Sequence, residues 1–504
     1  MRRRTGAVVA VVVGLGVVLA VVVAWASRVG GVEVGADRLV NPPGFITVNN
    51  SPTIARQPDR PERLVVAHRI DRPGFSALLE WSDDGGATWQ PTALPLPPET
   101  EPCAASPEKR PCPFAPDLAF GPDGTLYVLY VGLQGNGNTP ADLWLATSND
   151  AGRSLAQPVR VAGALTFQPR LVVDARGTIQ ATWLQADNVA LNRLVGQARI
   201  VSSHSSDGGR TFSEPVALSD PERERVGAAS PVIDSAGDLV VLYQDFKDDR
   251  RDFEGLDGPV PDGPFALVVT RSEDGGRTFS PGIELESGLV PARRFLVFLP
   301  EYPSLAAGPD GVLYAAWADA RSGDEDVLFR RSDDGGATWA GAVTVNDNPA
   351  GDGTDQYLPR LSVAPGGRVD VLFYDRRRDP GNVATDAFLA TSDDGGRSFT
   401  NHRVSSASFS SEVGPTFGPA YGYDFGTRLG LVSDDDSVYA TWTDTRLGNG
   451  DTGRQDVFGV SVHGLGSSGL PLFGWLLAAL ALAAVVVAWF LSRRSRGSKG
   501  RLRS

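Results

Sequence analysis

The sequence predicts an all-β protein, a propeller of four-stranded blades, and three observations carry that prediction. First, the segment Ser82-Asp83-Asp84-Gly85-Gly86-Ala87-Thr88-Trp89 recurs from Ser205, Ser272, Ser332 and Ser392, with a degenerate copy from Ser148, at spacings of 57 to 67 residues. Second, a short alternating run precedes each copy, as at residues 326–331 and 386–391. Third, a Gly-Pro-Asp-Gly-type turn and an aromatic strand lie further upstream, clearest at residues 121–130 and 308–317. A self-similar period of this length marks a repeat architecture, in which each unit buries its faces against its neighbours.

Each unit reads as strands A to D, and the recurring segment is the C–D turn. Its fifth-position glycine supplies a positive φ, and its Asp carboxylate is placed to accept the free amides of a tight turn. The terminal Trp or Phe is expected to bury in the body of the domain. Asp84, Asp150, Asp207, Asp274, Asp334 and Asp394 are therefore read as structural rather than catalytic. The Ser-x-Asp-x-Gly-x-Thr-aromatic pattern resembles the Asp box of the sialidase superfamily. The resemblance covers most of residues 40–463 and implies a propeller, with six blades usual among the enzymes of that group.

Strand A starts are expected at Pro52, Pro116, Pro169, Pro231, Pro303 and Pro359, with a seventh at Thr427-Arg428-Leu429. The seventh unit has candidates for strands B (438–443) and C (456–462) but no strand D. Residues 37–41, leading to 46–49, resemble residues 343–346 after the fifth turn, so an N-terminal strand is expected to close the ring. Closure of this kind removes open sheet edges. The expectation is seven blades, with six as the alternative. Both chain ends should then leave from the face of the C–D turns, leaving the opposite face to look outward.

Charge and hydropathy place the chain. Residues 6–26 and 469–491 carry no charge, and each run is long enough to cross a bilayer core of ~30 Å. Arg2, Arg3 and Arg4 precede the first run, and Arg493, Arg494, Arg496, Lys499, Arg501 and Arg503 follow the second. Basic flanks mark the cytoplasmic side. The expected organisation is a signal peptide or N-terminal anchor (1–26), an extracellular propeller (27–463), a linker (464–469), a transmembrane helix (470–491) and a cytoplasmic tail (492–504), in a bacterial cell membrane. Residues 27–468 hold 38 basic and 60 acidic residues, which argues against nucleic acid as a partner. Cys103 and Cys112 are expected to pair in an oxidising compartment, with half a zinc site as the alternative.

The sialidase resemblance also implies a chemistry: an Arg triad for a substrate carboxylate, a Tyr nucleophile activated by Glu, and an Asp acid/base. Arg170, Arg360 and Arg428 are the candidates for a triad, each at a strand A start. Tyr302, Tyr357 and Tyr423 lie just before such starts, with Glu301 beside Tyr302. The Arg-Ile-Pro motif of many sialidases is absent, and His68-Arg69-Ile70-Asp71 is the nearest match. The same Arg and Tyr residues also fit a structural reading as repeat features lining a channel. A second constellation pairs Asp319 with Arg321, Asp375 with Arg377 and Asp444 with Arg446, with a Lys variant at Asp245 and Lys247. Here Arg is expected to bridge its own Asp and the acid opening strand C (Asp326, Asp386, Asp456), or else to form a charged ring for a polar ligand. No metal site or cofactor is expected, since the acid-rich loops lack an ordered calcium ladder. The functional expectation is a monomeric propeller that recognises a glycan, peptide or envelope partner through its outward loops. The alternative is an exo-acting glycoside hydrolase of the sialidase type.

Overall fold

The computed structural model describes residues 31–466 apart from 45–46, 98–99, 107–108, 110, 137, 191–192, 195–196, 250–263, 291–300 and 417–422. The described residues form seven antiparallel blades of order A-B-C-D, plus a small hairpin of Val189–Ala190 and Arg193–Leu194. The A strands run from Val48–Gln57 in blade 1 to Gly430–Ser433 in blade 7, and they touch in a closed cycle around the axis. Strand B is buried on both faces because each blade is sandwiched between two others. Leu239–Asp245, Leu313–Asp319 and Val369–Asp375 are accordingly buried at every position. Such strands read as continuous apolar runs rather than as alternation.

The N-terminal segment closes the ring. Arg38–Leu39 pairs with Gly459 and Phe458 of the strand Asp456–His463. Asn41 then donates to the Asp456 carboxylate at 3.1 Å and accepts the Val457 N–H at 2.6 Å. Asn346 makes the same two bonds to Asp326 and Val327 in blade 5, at 2.8 and 2.9 Å. Residues 38–41 are thus the missing strand D. The continuation expected at 46–49 belongs elsewhere, because Val48 and Asn49 open strand A of blade 1. Glu33 pairs with His463, so both ends of the propeller lie where strand C runs into the C–D turns.

Six turns repeat one hydrogen-bond pattern. The Ser82 hydroxyl accepts the Gly86 N–H at 2.9 Å and donates to Asp84 at 2.8 Å. Asp84 accepts the Thr88 N–H at 2.9 Å and the Thr88 hydroxyl at 2.7 Å. Asp150 does the same with Ser154, so the degenerate copy is intact. The fifth-position glycine serves two needs. At Gly396 φ is +83°, and a Cβ would stand 2.1 Å from the Phe329 ring of the preceding blade. The closing aromatics Trp89, Phe212, Phe279, Trp339 and Phe399 are half-buried at the rim of the core, not fully buried as expected.

These turns link acid pH to stability. Burial raises the Asp394 carboxyl, but donors from Ser398 and Ser392 outweigh it and hold it at about 2. Hydrogen bonds led by Thr211 and Thr278 hold Asp207 and Asp274 well below the usual carboxylate range. A carboxyl depressed on folding stabilises fully above its unfolded value of ~3.9 and loses that contribution as pH falls through the folded value. Asp394→Asn should therefore be less stable than the wild type at pH 7, with the gap narrowing as pH drops from about 4 towards about 2. Urea unfolding across that range checks it, and a gap independent of pH would count against this role.

Cys103 and Cys112 form a disulfide, and both are buried. Among the described residues no helix is long and apolar enough to cross a membrane. The two apolar runs at 6–26 and 470–491 lie outside those residues.

Candidate functional site

Register aligns the inner strands of all seven blades. The strand A residues opposite the position just before the buried aromatic of strand B are Thr53, Asp117, Arg170, Ser230, Ser304, Arg360 and Gly430. Ser230 and Ser304 accept the N–H of Leu305 and Leu361 in the following blade, at 3.1 and 2.9 Å. Asp117 does the same for Leu171 at 2.9 Å and takes the Thr53 hydroxyl at 3.0 Å. Pro231 follows Arg170 around the ring and has no N–H, so blade 3 needs no acceptor there.

Five A strands begin before the expected prolines, at Val48, Cys112, Thr166, Val226 and Gln356, and in two blades the ring position is also displaced from the expected start. Ser230, not the residue after Pro231, holds the blade 4 ring position. In blade 7 the position belongs to Gly430, two residues beyond Arg428. Arg428 occupies the slot two residues earlier, which Tyr302 fills in blade 5. In five other blades that slot is a bulge residue in the left-handed region: Ser51, Ala115, Gln168, Ala228 and Leu358 have φ between +49° and +57°.

The three predicted arginines converge despite the shift. Arg170 and Arg428 approach Asp117 at 3.8 and 3.7 Å, and Arg428 also donates to the Pro116 carbonyl at 2.9 Å. Arg170 lies 5.0 Å from the centre of the Tyr302 ring. Arg360 stands close enough to both arginines to feel their charge. Burial, with the like charge of Arg170 and Arg428, pushes it down to about 10. Arg428 is likewise pushed to about 10, by burial first and Arg170 second. Both remain charged at neutral pH. Among the described residues Arg360 makes no hydrogen bond or ion pair, and its buried Nε has no partner. Burial raises the Tyr302 phenol to about 12 although Arg428 and Arg170 pull it down, so it is neutral at pH 7.

Arg69, on strand B of blade 1, completes the cluster. It is 2% exposed and binds Asp71 at 3.0 Å and Asp424 through a short contact. Those carboxylates outweigh burial and raise its pKa. The other predicted groups lie apart or are otherwise engaged. The Glu301 carboxylate accepts the Leu358 N–H and so clamps the bulge of blade 6. Tyr357 packs beneath Arg376 at 5.0 Å and beside Tyr374, between blades. Tyr423 is exposed.

The repeated Asp–Arg pairs form clips rather than a converging ring. Arg321 binds Asp319 and reaches Glu286 on strand D of the preceding blade at 3.0 Å. Arg377 binds Asp375 at 2.7 Å and also Asp347, and Arg446 binds Asp444 through Nε at 2.9 Å and Asp37 through Nη1 at 2.8 Å. Lys247 links Asp245 to Glu284 within its own blade. The expected bridge from these arginines to the strand C acids is not formed. Asp326 and Asp456 instead hold the strand D asparagines, and Asp386 is taken by Arg403 and Ser405. Among the described residues no acid or His/Cys cluster suited to a metal occurs.

Sequence reasoning named the three arginines but gave no role to Asp117, whose Pro116-Asp117-Leu118 context served only as a strand marker. No protein-family model and no curated protein matches this sequence. Among solved structures the chain is similar to a protein of unknown function from Dyadobacter fermentans DSM 18053, at 14% identity over 86% of this chain and 99% of that one, with a TM-score of 0.47. It is also similar to the Hadza microbial sialidase Hz136, at 16% identity, 79% and 73% coverage and a TM-score of 0.45. A third is the phage phi92 endosialidase, at 12% identity, 85% and 69% coverage and a TM-score of 0.46.

Proposed function

We propose that this propeller is an extracellular, membrane-anchored receptor for a carboxylate-bearing sugar, bound where Arg170, Arg360 and Arg428 converge at the central channel. The single observation that carries this reading is Arg360. A half-buried guanidinium held beside two like charges, with no hydrogen bond among the described residues, is costly to the folded chain. A planar carboxylate matches a guanidinium fork and would satisfy it. The resemblance of the repeated turns makes an acidic sugar the first ligand to test. Export and anchoring rest on the apolar runs and their basic flanks.

Hydrolysis is the second reading, and Tyr302 beside Arg170 and Arg428 favours it. Against it stand a phenol raised to about 12 and a neighbouring Glu301 carboxylate already accepting the Leu358 N–H. The test is titration of the full-length chain with a fluorogenic sialoside, following binding and release of the fluorophore together. Saturable binding without turnover is expected. Turnover that vanishes in Tyr302→Phe would replace the receptor by a glycosidase, and no binding of this or any other carboxylate sugar would end both readings.

A further inference from the structure

We propose that Asp117 is the specificity-determining residue of the arginine site, setting its charge so that a singly charged carboxylate is taken in preference to a doubly charged phosphate ester. The inference rests on the carboxylate reading above and adds a selection rule to it.

The amide contact to the next blade does not require a carboxylate at this position, although the second Asp117 oxygen also takes the Thr53 hydroxyl. What the ring position must do is accept one N–H from the next blade, and serine does that in blades 4 and 5 through Ser230 and Ser304. Asp117 meets the same need with one oxygen, at 2.9 Å from the Leu171 nitrogen. Its charge is surplus to that task, and it stands 3.7 to 3.8 Å from Arg428 and Arg170.

The charge balance around the site follows. Arg428, Arg170, Asp117 and Arg69 are among the charges that act on the Tyr302 phenol at the centre of the cluster. Arg360 joins them through Arg170 and Arg428. Arg170, Arg360 and Arg428 against Asp117 leave two positive charges. Arg69 with its two carboxylates, Asp71 and Asp424, takes away one more. These seven described side chains thus sum to one positive charge, which one carboxylate neutralises. A dianion would overfill the site and leave a buried negative charge, whereas a chain without the Asp117 charge would accommodate it.

The experiment is calorimetric titration of the full-length chain, at pH 7.5, with methyl glucuronide, methyl glucoside 6-phosphate and uncharged methyl glucoside. At that pH the phosphate ester is largely a dianion, its second pKa being ~6. Wild type should prefer the glucuronide. Asp117→Ser, which copies blades 4 and 5, and Asp117→Asn should each raise affinity for the phosphate ester at least about tenfold more than for the glucuronide. Asp117→Glu, which keeps the charge, should keep the wild-type preference. Two independent replacements guard against one that fails to fold, which thermal melts would show. Equal gains for both ligands, or an unchanged preference in the serine and asparagine variants, would overturn the inference while leaving the carboxylate reading intact. A wild type that binds neither anion would overturn both.

Discussion

Arg360→Ala is expected to lose carboxylate-sugar binding by about 30-fold or more while the chain becomes no less stable. The binding loss follows from removing one partner of a desolvated charge pair, worth about 2 kcal/mol or more. The stability result follows from the free protein. Burial and two like-charged neighbours hold the Arg360 guanidinium down to about 10, so its charge disfavours the folded state. Deleting it removes that burden, at the cost of a little aliphatic packing. The expected combination is weaker binding with an unchanged or raised Tm, measured by calorimetric titration and thermal melts of the same preparations. A variant that binds normally, or one that loses binding only because it unfolds, would contradict the role given to this residue.

Arg69→Ala is expected to do the opposite, destabilising the chain by about 3–5 kcal/mol. This arginine is more deeply buried than Arg360 but fully answered, by Asp71 and Asp424, and its loss leaves two carboxylates facing one another without a cation. The effect also has a sign in pH. Burial already raises the Asp71 carboxyl above its usual value even with Arg69 present. An acid whose pKa is raised on folding favours the folded state most at low pH and loses that contribution as pH rises. The variant's deficit should therefore be largest near pH 7 and shrink as pH falls towards about 4. Denaturant unfolding at both pH values tests this, and an equal deficit at the two would show that the ion pairs are not its source. Two neighbouring arginines thus separate by one measurement, the first serving a ligand and the second the fold.

Much of this was legible in the sequence because the repeat carries its own alignment. The Asp carboxylate bonds to the turn amides are local, so the motif alone foretold them. Closure by an N-terminal strand was legible because Val40-Asn41 copies Val345-Asn346, down to the acid each asparagine holds. The register of blade 7 was not. Arg428-Leu429 imitates the Pro-Arg-Leu start of other blades two residues early, and only strand pairing shows that Gly430 stands in the ring. Arg69 was visible as part of an incomplete Arg-Ile-Pro motif, but its partner Asp424 is 355 residues away in the chain. Asp117 was hidden for a different reason. Its neighbours mark a strand start, and its charge matters only once the ring brings Arg170 and Arg428 to it. The strand C acids were misassigned because a long arginine side chain reaches several carboxylates. In each blade the preceding blade or the flanking loop offers a nearer one, as Glu286 does for Arg321.

The central claim is that the converging arginines at the channel are a carboxylate site, and a structure of the chain with a bound methyl sialoside tests it most directly. The account predicts the sugar carboxylate within hydrogen-bond distance of Arg360 and of at least one of Arg170 and Arg428, with Asp117 still bound to the Leu171 N–H. A carboxylate seated instead on the Asp–Arg clips of the B–C loops, with the Arg360 side chain untouched, would contradict it.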